Sequence, residues 1–317
     1  MMIYDKVIVD VSNFFYRVAA LYIRDLKTDT VAQLVKNNTV FNQYKSVIEG
    51  LKQQTLGEIC LLFDPLLSNG NISNRLRIKE GYKTNRDRNS PVAQLKRDTL
   101  EKLYSEFVVE SPARISVYHD VTYEADDYVE KLTETGKCLL ITTDGDFARY
   151  LEEGRVEMLT QGLTIKQDSI FTAKDFEAKH GFKPNIASVT FWKALYGDVS
   201  DNIVGVFHAP ATIIIRTACD EMDKILKELG EGSMSLNVAK SQYFAGNGRF
   251  SRFAELLRLS NTERSYEKFL DLTDANFRVI ESMLPRDSDI DVNKFKVSIA
   301  IGIKNTKEKK FSLNKKA

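Results

Sequence analysis

The chain has 317 residues, is 43% hydrophobic and carries a formal net charge of +1, which allows a sizeable core in one large domain or a domain with a smaller appendage. No apolar run reaches the roughly eighteen residues that span a bilayer, and Met1 to Val11 lack the sections of a signal peptide, so no membrane association and a cytoplasmic location are expected. Three cysteines, odd in number and with Cys60 and Cys138 inside apolar runs, argue for buried thiols and against a disulfide framework or a zinc site.

Taken in chain order, five short runs read as buried strands: KVIVDVS near the start, EICLLFD at 58–64, RISVYHD at 114–120, KCLLITTD at 137–144 and RVEMLTQ at 155–161. Helical patterns lie between most of them, which predicts an α/β fold with a central mostly parallel sheet covered on both faces. Such sheets bind ligands beyond the carboxyl ends of their strands. Asp10, Asp64 and Asp144 stand at or near three of those ends, so three carboxylates are expected on one rim. Asp120 closes a fourth run and reads as a turn residue.

The stretch 66–89 is rich in Asn, Ser, Gly and Arg and has little apolar periodicity, as in a long functional excursion. From Arg75 to Arg97 it and the following helix carry Arg75, Arg77, Lys79, Lys83, Arg86, Arg88, Lys96 and Arg97 against Glu80 and Asp87, a local cationic patch. Ser90 and Pro91 form a cap and first-turn pair for a helix whose Val92, Leu95, Leu103 and Phe107 share one inward face. From Ile186 onward the pattern is mainly helical, placing a boundary near 185. The lysines from Lys294 to Lys316 read as a solvated tail.

Acidic residues then concentrate. In YEADDYVEKL, Glu124, Asp126 and Asp127 fall within one helical turn, where acids also suit the positive helix end at about 0.3–1 kcal/mol each. In TTDGDFARYL, Asp144 and Asp146 flank a glycine; the pair resembles the start of a calcium loop, but Arg155 stands where that loop needs its bidentate glutamate. Asp198 and Asp201, in YGDVSDN, also suit plain turn chemistry. Together these nine carboxylates would repel one another unless cations intervened. Oxygen donors without histidine or cysteine select Mg²⁺, with Mn²⁺ as a substitute, over zinc. Two such ions about 4 Å apart suit an in-line phosphoryl displacement. His119, His180 and His208 share no ligand spacing, and the aromatics of SNFFYR and TFWKALY, Trp192 among them, read as core stripes.

The phrases IVDVSNFFYR, LLFDP, GYKTNR, YEADD, TTDGD and GDVSDNIVGV, in that order over about residues 3–206, resemble the flap endonuclease family of 5′ nucleases, as found in bacteriophages and bacterial DNA polymerases. The resemblance implies a PIN-like nuclease domain over 1–185 with a helical arch at approximately 66–110. It also implies a helical DNA-binding and C-terminal region over 186–317 containing a helix-three-turn-helix element. Asp10, Asp64, Glu124, Asp126 and Asp127 then look like ligands of a first metal or its waters, and Asp144, Asp146, Asp198 and Asp201 like the second site, with Asp144 between the two. Lys83 and Arg86 match the arch residues nearest the scissile phosphate, while Arg17, Arg75, Arg77, Lys79, Tyr82 and Arg88 are candidates for the nucleic-acid path. Implied partners are DNA with 5′ flaps, nicks or free 5′ ends, RNA–DNA hybrids, and a single-strand binding protein or polymerase; the chain is expected to be a monomer. In one segment it departs from the family: GVFHAPAT places His208 and Pro210 where closely spaced glycines hold a monovalent ion, which counts against that site. A PIN-type ribonuclease, which needs no GYKTNR segment, and a junction-binding protein without turnover are the competing readings.

Overall fold

Where every residue of a strand is apolar, both faces of the sheet must be covered, and the apolar runs at residues 7–9 and 59–62 are buried throughout. In the computed structural model, which describes residues 3–24, 28–65, 83, 86–110, 112–120, 123–186, 188–189, 192–193 and 197–202, these runs lie near the middle of a six-stranded sheet. Its strands are β1 (Lys6–Asp10), β2 (Glu58–Leu62), β3 (Ile115–Tyr118), β4 (Cys138–Ile141), β5 (Val156–Leu159) and β6 (Ile170–Phe171). The order is β3-β2-β1-β4-β5-β6. β1 to β5 run parallel, and the two-residue β6, which has no apolar run to announce it, adds antiparallel to β5. The five predicted strands and the mostly parallel α/β architecture are thus present.

Alternation divides the strand residues between two faces. Val7, Val9, Ile59, Leu61, Leu139 and Ile141 enter one continuous core with the helices α1 (Val11–Val18), α3 (Thr28–Lys36), α4 (Thr39–Gln54) and α5 (Pro91–Glu110), while α2 (Ala20–Ile23) is a single turn whose Tyr22 and Ile23 pack half-buried against that core. Phe14 of α1 is fully buried edge-on to Tyr44 of α4, and the Tyr44 hydroxyl donates to the Val11 carbonyl at 2.9 Å. That contact fixes the start of α1 directly after the strand that carries Asp10. Ile8, Cys60 and Leu140 point to the opposite face, where the short α6 (Val129–Thr133) packs on β1. Cys60 and Cys138 are free buried thiols, as expected.

The caps follow the sequence closely. Ser90 Oγ accepts the Ala93 amide at 3.2 Å and opens α5, whose Leu95, Leu103 and Phe107 are buried. Thr172 and Asp175 cap each other's backbone at the start of α7 (Ala173–His180), which ends on Gly181 at φ 82°, a left-handed position that costs glycine nothing. His180 and Trp192 pack against Phe176 and Phe182. His119 is held against the Tyr104 ring. Among the described residues, no helix is long and apolar enough to cross a membrane. The C-terminal region beyond 202 with its helix-three-turn-helix element, and the GVFHAPAT loop, lie outside the described residues.

Candidate metal centre

The sheet order reverses its winding between β1 and β4, which is where an open parallel sheet leaves a crevice at its carboxyl end. β1 pairs with β2 from Lys6 to Asp10 and with β4 from Lys6 to Val9, so the residues that follow the strands emerge side by side. A cleft of about 710 Å³ opens there. It is lined by Asp10, Asp64, Glu124, Asp126, Asp144, Asp146, Asp198 and Asp201 among its acids. Eight of the nine predicted carboxylates therefore meet in one place. Asp127 is buried away from the cleft lining, with Oδ2 accepting the Glu124 amide at 2.7 Å, a capping contact for the 3-10 turn Ala125–Tyr128.

Each acid is held by local chemistry. Asp10 caps α1, accepting the Asn13 amide at 3.0 Å and the Thr142 hydroxyl at 3.1 Å. Asn13 in turn accepts the Thr143 amide at 2.8 Å, tying α1 to the loop after β4. Asp144 caps the 3-10 turn Gly145–Tyr150 through the Asp146 amide at 3.0 Å. Asp64 accepts the Ala125 amide at 3.0 Å and so pins the YEADD turn to the rim. Asp198 accepts both the Ser200 amide and hydroxyl, the turn chemistry expected of it, while its other oxygen takes an ion pair. Cap and cleft roles thus coexist on the same side chains.

Counting the whole lining, with Asp87 included, nine carboxylates face four basic side chains: Lys83, Arg86, Lys96 and Lys193. Burial, and after it this surplus of negative charge, raises several of the acids. Burial, reinforced by Asp64, raises the Asp10 carboxyl to about 7, and burial with Asp146 raises Asp144 to about 8. Asp201 is also raised, by burial first. For Asp64, burial acts upward, but Lys83, Lys96 and the Ala125 amide together outweigh it and leave the group lowered. Asp146, Asp198 and Asp201 offer oxygens within 4.8 Å of one another. With no nitrogen or sulfur donor in the set, the residues fit hard divalent ions.

Lys83 and Arg86 close on the cleft from the segment predicted to form the arch. Lys83, at φ 55°, a backbone region uncommon for a side chain this long, places Nζ 2.5 Å from Glu124. Arg86 donates to Asp201 Oδ1 at 2.8 Å and to the Ser200 carbonyl at 3.3 Å. The other expected cationic positions differ. Arg88 is exposed outside the cleft lining. Arg17 turns away from it, donating to the carbonyls of Leu159 at 3.0 Å and Gly162 at 3.4 Å with its guanidinium 4.7 Å from the Phe14 ring centroid. Burial lowers it to about 10. Arg75, Arg77, Lys79 and Tyr82 lie outside the described residues.

Tyr16 and Lys193 line the cleft without having been candidates from sequence, and Lys96, expected only as part of the cationic patch, lines it as well. Tyr16 belongs to SNFFYR, whose aromatics were expected in the core; Phe14 and Phe15 are buried, but Tyr16 is 47% exposed and faces the cleft. Lys96 sets its ammonium 4.9 Å from the Tyr16 ring centroid. Lys193, hidden in TFWKALY, reaches Asp146 and Asp198. The 100° step of a helix flagged Tyr16 as one residue past the buried pair, a signal that was available. Nothing local distinguishes Lys193.

No family model matches the sequence. No curated protein matches it either. Among solved structures, the chain is similar to the T5 D15 protein co-crystallised with metal ions, with TM-score 0.48 and 18% identity over 88% of this chain and 98% of that one. It is also similar to the bacteriophage T5 D15 flap endonuclease in a pseudo-enzyme–product complex with DNA and metal ions (TM-score 0.45, 17% identity, 88% and 98% covered). A third is T5 5′-exonuclease with zinc bound (TM-score 0.45, 19% identity, 87% and 98% covered).

Proposed function

We propose that the chain is a structure-specific 5′ nuclease, acting as 5′-3′ exonuclease and flap endonuclease on DNA or RNA primers in replication or repair. The observation that carries this reading is the convergence, at one sheet crevice, of eight carboxylates from separate segments with Lys83 and Arg86 lining the same cleft. It joins the six ordered phrases, of which GYKTNR separates this reading from a PIN-type ribonuclease. The presence of the whole acidic set speaks against a junction-binding protein without turnover.

Asp10, Asp64, Glu124 and Asp126 would hold one Mg²⁺ ion and Asp146, Asp198 and Asp201 a second, with Asp144 between them; Asp127 serves through the turn it caps. Bound there, the ions supply a nucleophile and charge neutralisation for phosphodiester hydrolysis. The protein's own part is distinct. Lys83, now paired with Glu124, and Lys96, beside Asp10 and Asp64, provide cations at the cleft where phosphate charge builds, a stabilisation worth most in a site with little water. Basic side chains that grip backbone phosphates read no sequence, so substrate shape sets selectivity.

The experiment is digestion of 5′-labelled flap, nicked and RNA-primed duplexes with Mg²⁺ and with EDTA. Release of short 5′ products with Mg²⁺, lost on chelation, is expected. Cutting that persists in EDTA contradicts the metal reading, and cleavage of unstructured RNA alone favours the ribonuclease.

A further inference from the structure

The 3-10 turn that carries Asp146 also carries an arginine that no phrase of the sequence reading used. In a 3-10 turn, side chains three residues apart eclipse one another. Arg149 accordingly lies against Asp146: its Nε donates to the Asp146 carbonyl at 2.6 Å, and a terminal nitrogen sits 3.7 Å from Asp146 Oδ2. Asp146 Oδ1 instead faces Lys193 in the cleft, at 3.0 Å. One carboxylate is thus held between an inner and an outer cation.

The inner one is the unusual member. Arg149 is 3% exposed and lines no part of the cleft. A guanidinium taken out of water costs several kcal/mol unless a carboxylate compensates it. Such a cation could have been replaced by packed apolar atoms, since its neighbours Phe147, Ala148 and Tyr150 are themselves buried. Its charge therefore calls for an explanation beyond packing. Coulomb's law supplies one: a permanent positive charge a few ångströms behind a ligand oxygen takes up part of the attraction that a divalent ion in front of it would receive.

We infer that Arg149 is a built-in counter-cation of the Asp146–Asp198–Asp201 cluster, which keeps that cluster assembled without an ion and weakens its grip on the divalent cation it takes. The inference rests on the metal reading above. Arg149 lines no part of the cleft and acts on the cluster through Asp146, as a positioning residue whose charge, more than its shape, matters. The consequence is an ion that exchanges readily at that cluster.

The test is Mn²⁺ binding to the full chain, counted by electron paramagnetic resonance, for wild type, Arg149→Met and Arg149→Lys, alongside thermal unfolding in EDTA. Arg149→Met is expected to bind Mn²⁺ at its weaker site at least tenfold more tightly while unfolding at lower temperature in EDTA. Arg149→Lys, which keeps the charge, is expected to retain wild-type Mn²⁺ affinity. Should the methionine variant not fold, Arg149→Gln, neutral but still a hydrogen-bond donor, carries the same expectation. Unchanged or weaker Mn²⁺ binding in the neutral variants, or equal effects of Met and Lys, overturns the inference and leaves Arg149 a packing residue. Wild-type protein that binds no Mn²⁺ overturns the metal reading itself, and this inference with it.

Discussion

The ammonium of Lys193 lies 2.5 Å from Asp198 and 3.0 Å from Asp146, joining two acidic turns that belong to different parts of the chain. Its stem passes over Gly145, where the nearest Lys193 atoms lie 3.6 Å from the place a Cβ would occupy. Burial works against its charge, but Asp146, Asp198 and Asp144 outweigh burial and raise the lysine well above its ordinary value. A cation already stands among oxygens that the proposed second ion would use.

Removing it should therefore act in two directions. Lys193→Met leaves like charges facing one another, so the metal-free protein is expected to unfold at lower temperature. Added Mg²⁺ should then raise the melting temperature by more than it does in wild type. Thermal melts with EDTA and with Mg²⁺ check both parts; an identical Mg²⁺ increment in the two proteins contradicts the placement of an ion beside Lys193.

Lys83 should separate chemistry from binding. Its ammonium pairs with Glu124 inside the cleft, and other basic residues of the 75–97 patch are proposed to contact phosphates independently. Lys83→Ala is expected to slow single-turnover flap cleavage by about 10²–10³-fold, the scale of losing one preorganised charge contact. Its dissociation constant for the same flap, measured in Ca²⁺, should change far less. Equal losses in rate and binding would reassign Lys83 to substrate positioning.

Protonation links the cleft to stability. Asp10 at about 7 and Asp144 at about 8 hold protons in the folded, metal-free protein that an unfolded chain, with carboxyls near 4, has released. Between about pH 4 and pH 8 the folded state binds more protons, so the unfolding free energy falls as pH rises across that window. Asp64, lowered from its ordinary value, acts in the opposite sense only toward acid pH. In EDTA the melting temperature should decline from pH 5 to pH 8.5, and saturating Mg²⁺ should flatten that decline. A melting temperature in EDTA that rises over the same range would exclude the raised values.

The support beneath the site can be weighed separately. Phe14 is fully buried, edge-on to Tyr44, in the helix that Asp10 caps. Phe14→Ala should cost about 3–5 kcal/mol of stability, the usual range for an aromatic truncated in a core. Chemical denaturation measures it, and a loss below about 1 kcal/mol, well under that range, would mean that the α1 packing differs from that described.

Much of this was legible in the chain itself. Five short apolar runs determined the five parallel strands, and the three that lead to Asp10, Asp64 and Asp144 determined the rim on which three acids stand, because a parallel strand buried on both faces leaves its first polar residue at the end of the strand. The Ser90–Pro91 pair likewise determined where α5 begins. Tertiary structure alone decided which other side chains share the cleft. Lys193 and Lys96 look like ordinary helix-surface cations until their helices are docked, Tyr16 belongs by composition to a core stripe, and Arg17 is spent on the carbonyls of Leu159 and Gly162. Asp127 and Asp126 are neighbours of one type, yet a single turn sends one to a backbone amide and the other to the cleft. Periodicity reports which residues leave water; long-range electrostatic pairing depends on distances that exist only once the segments have packed.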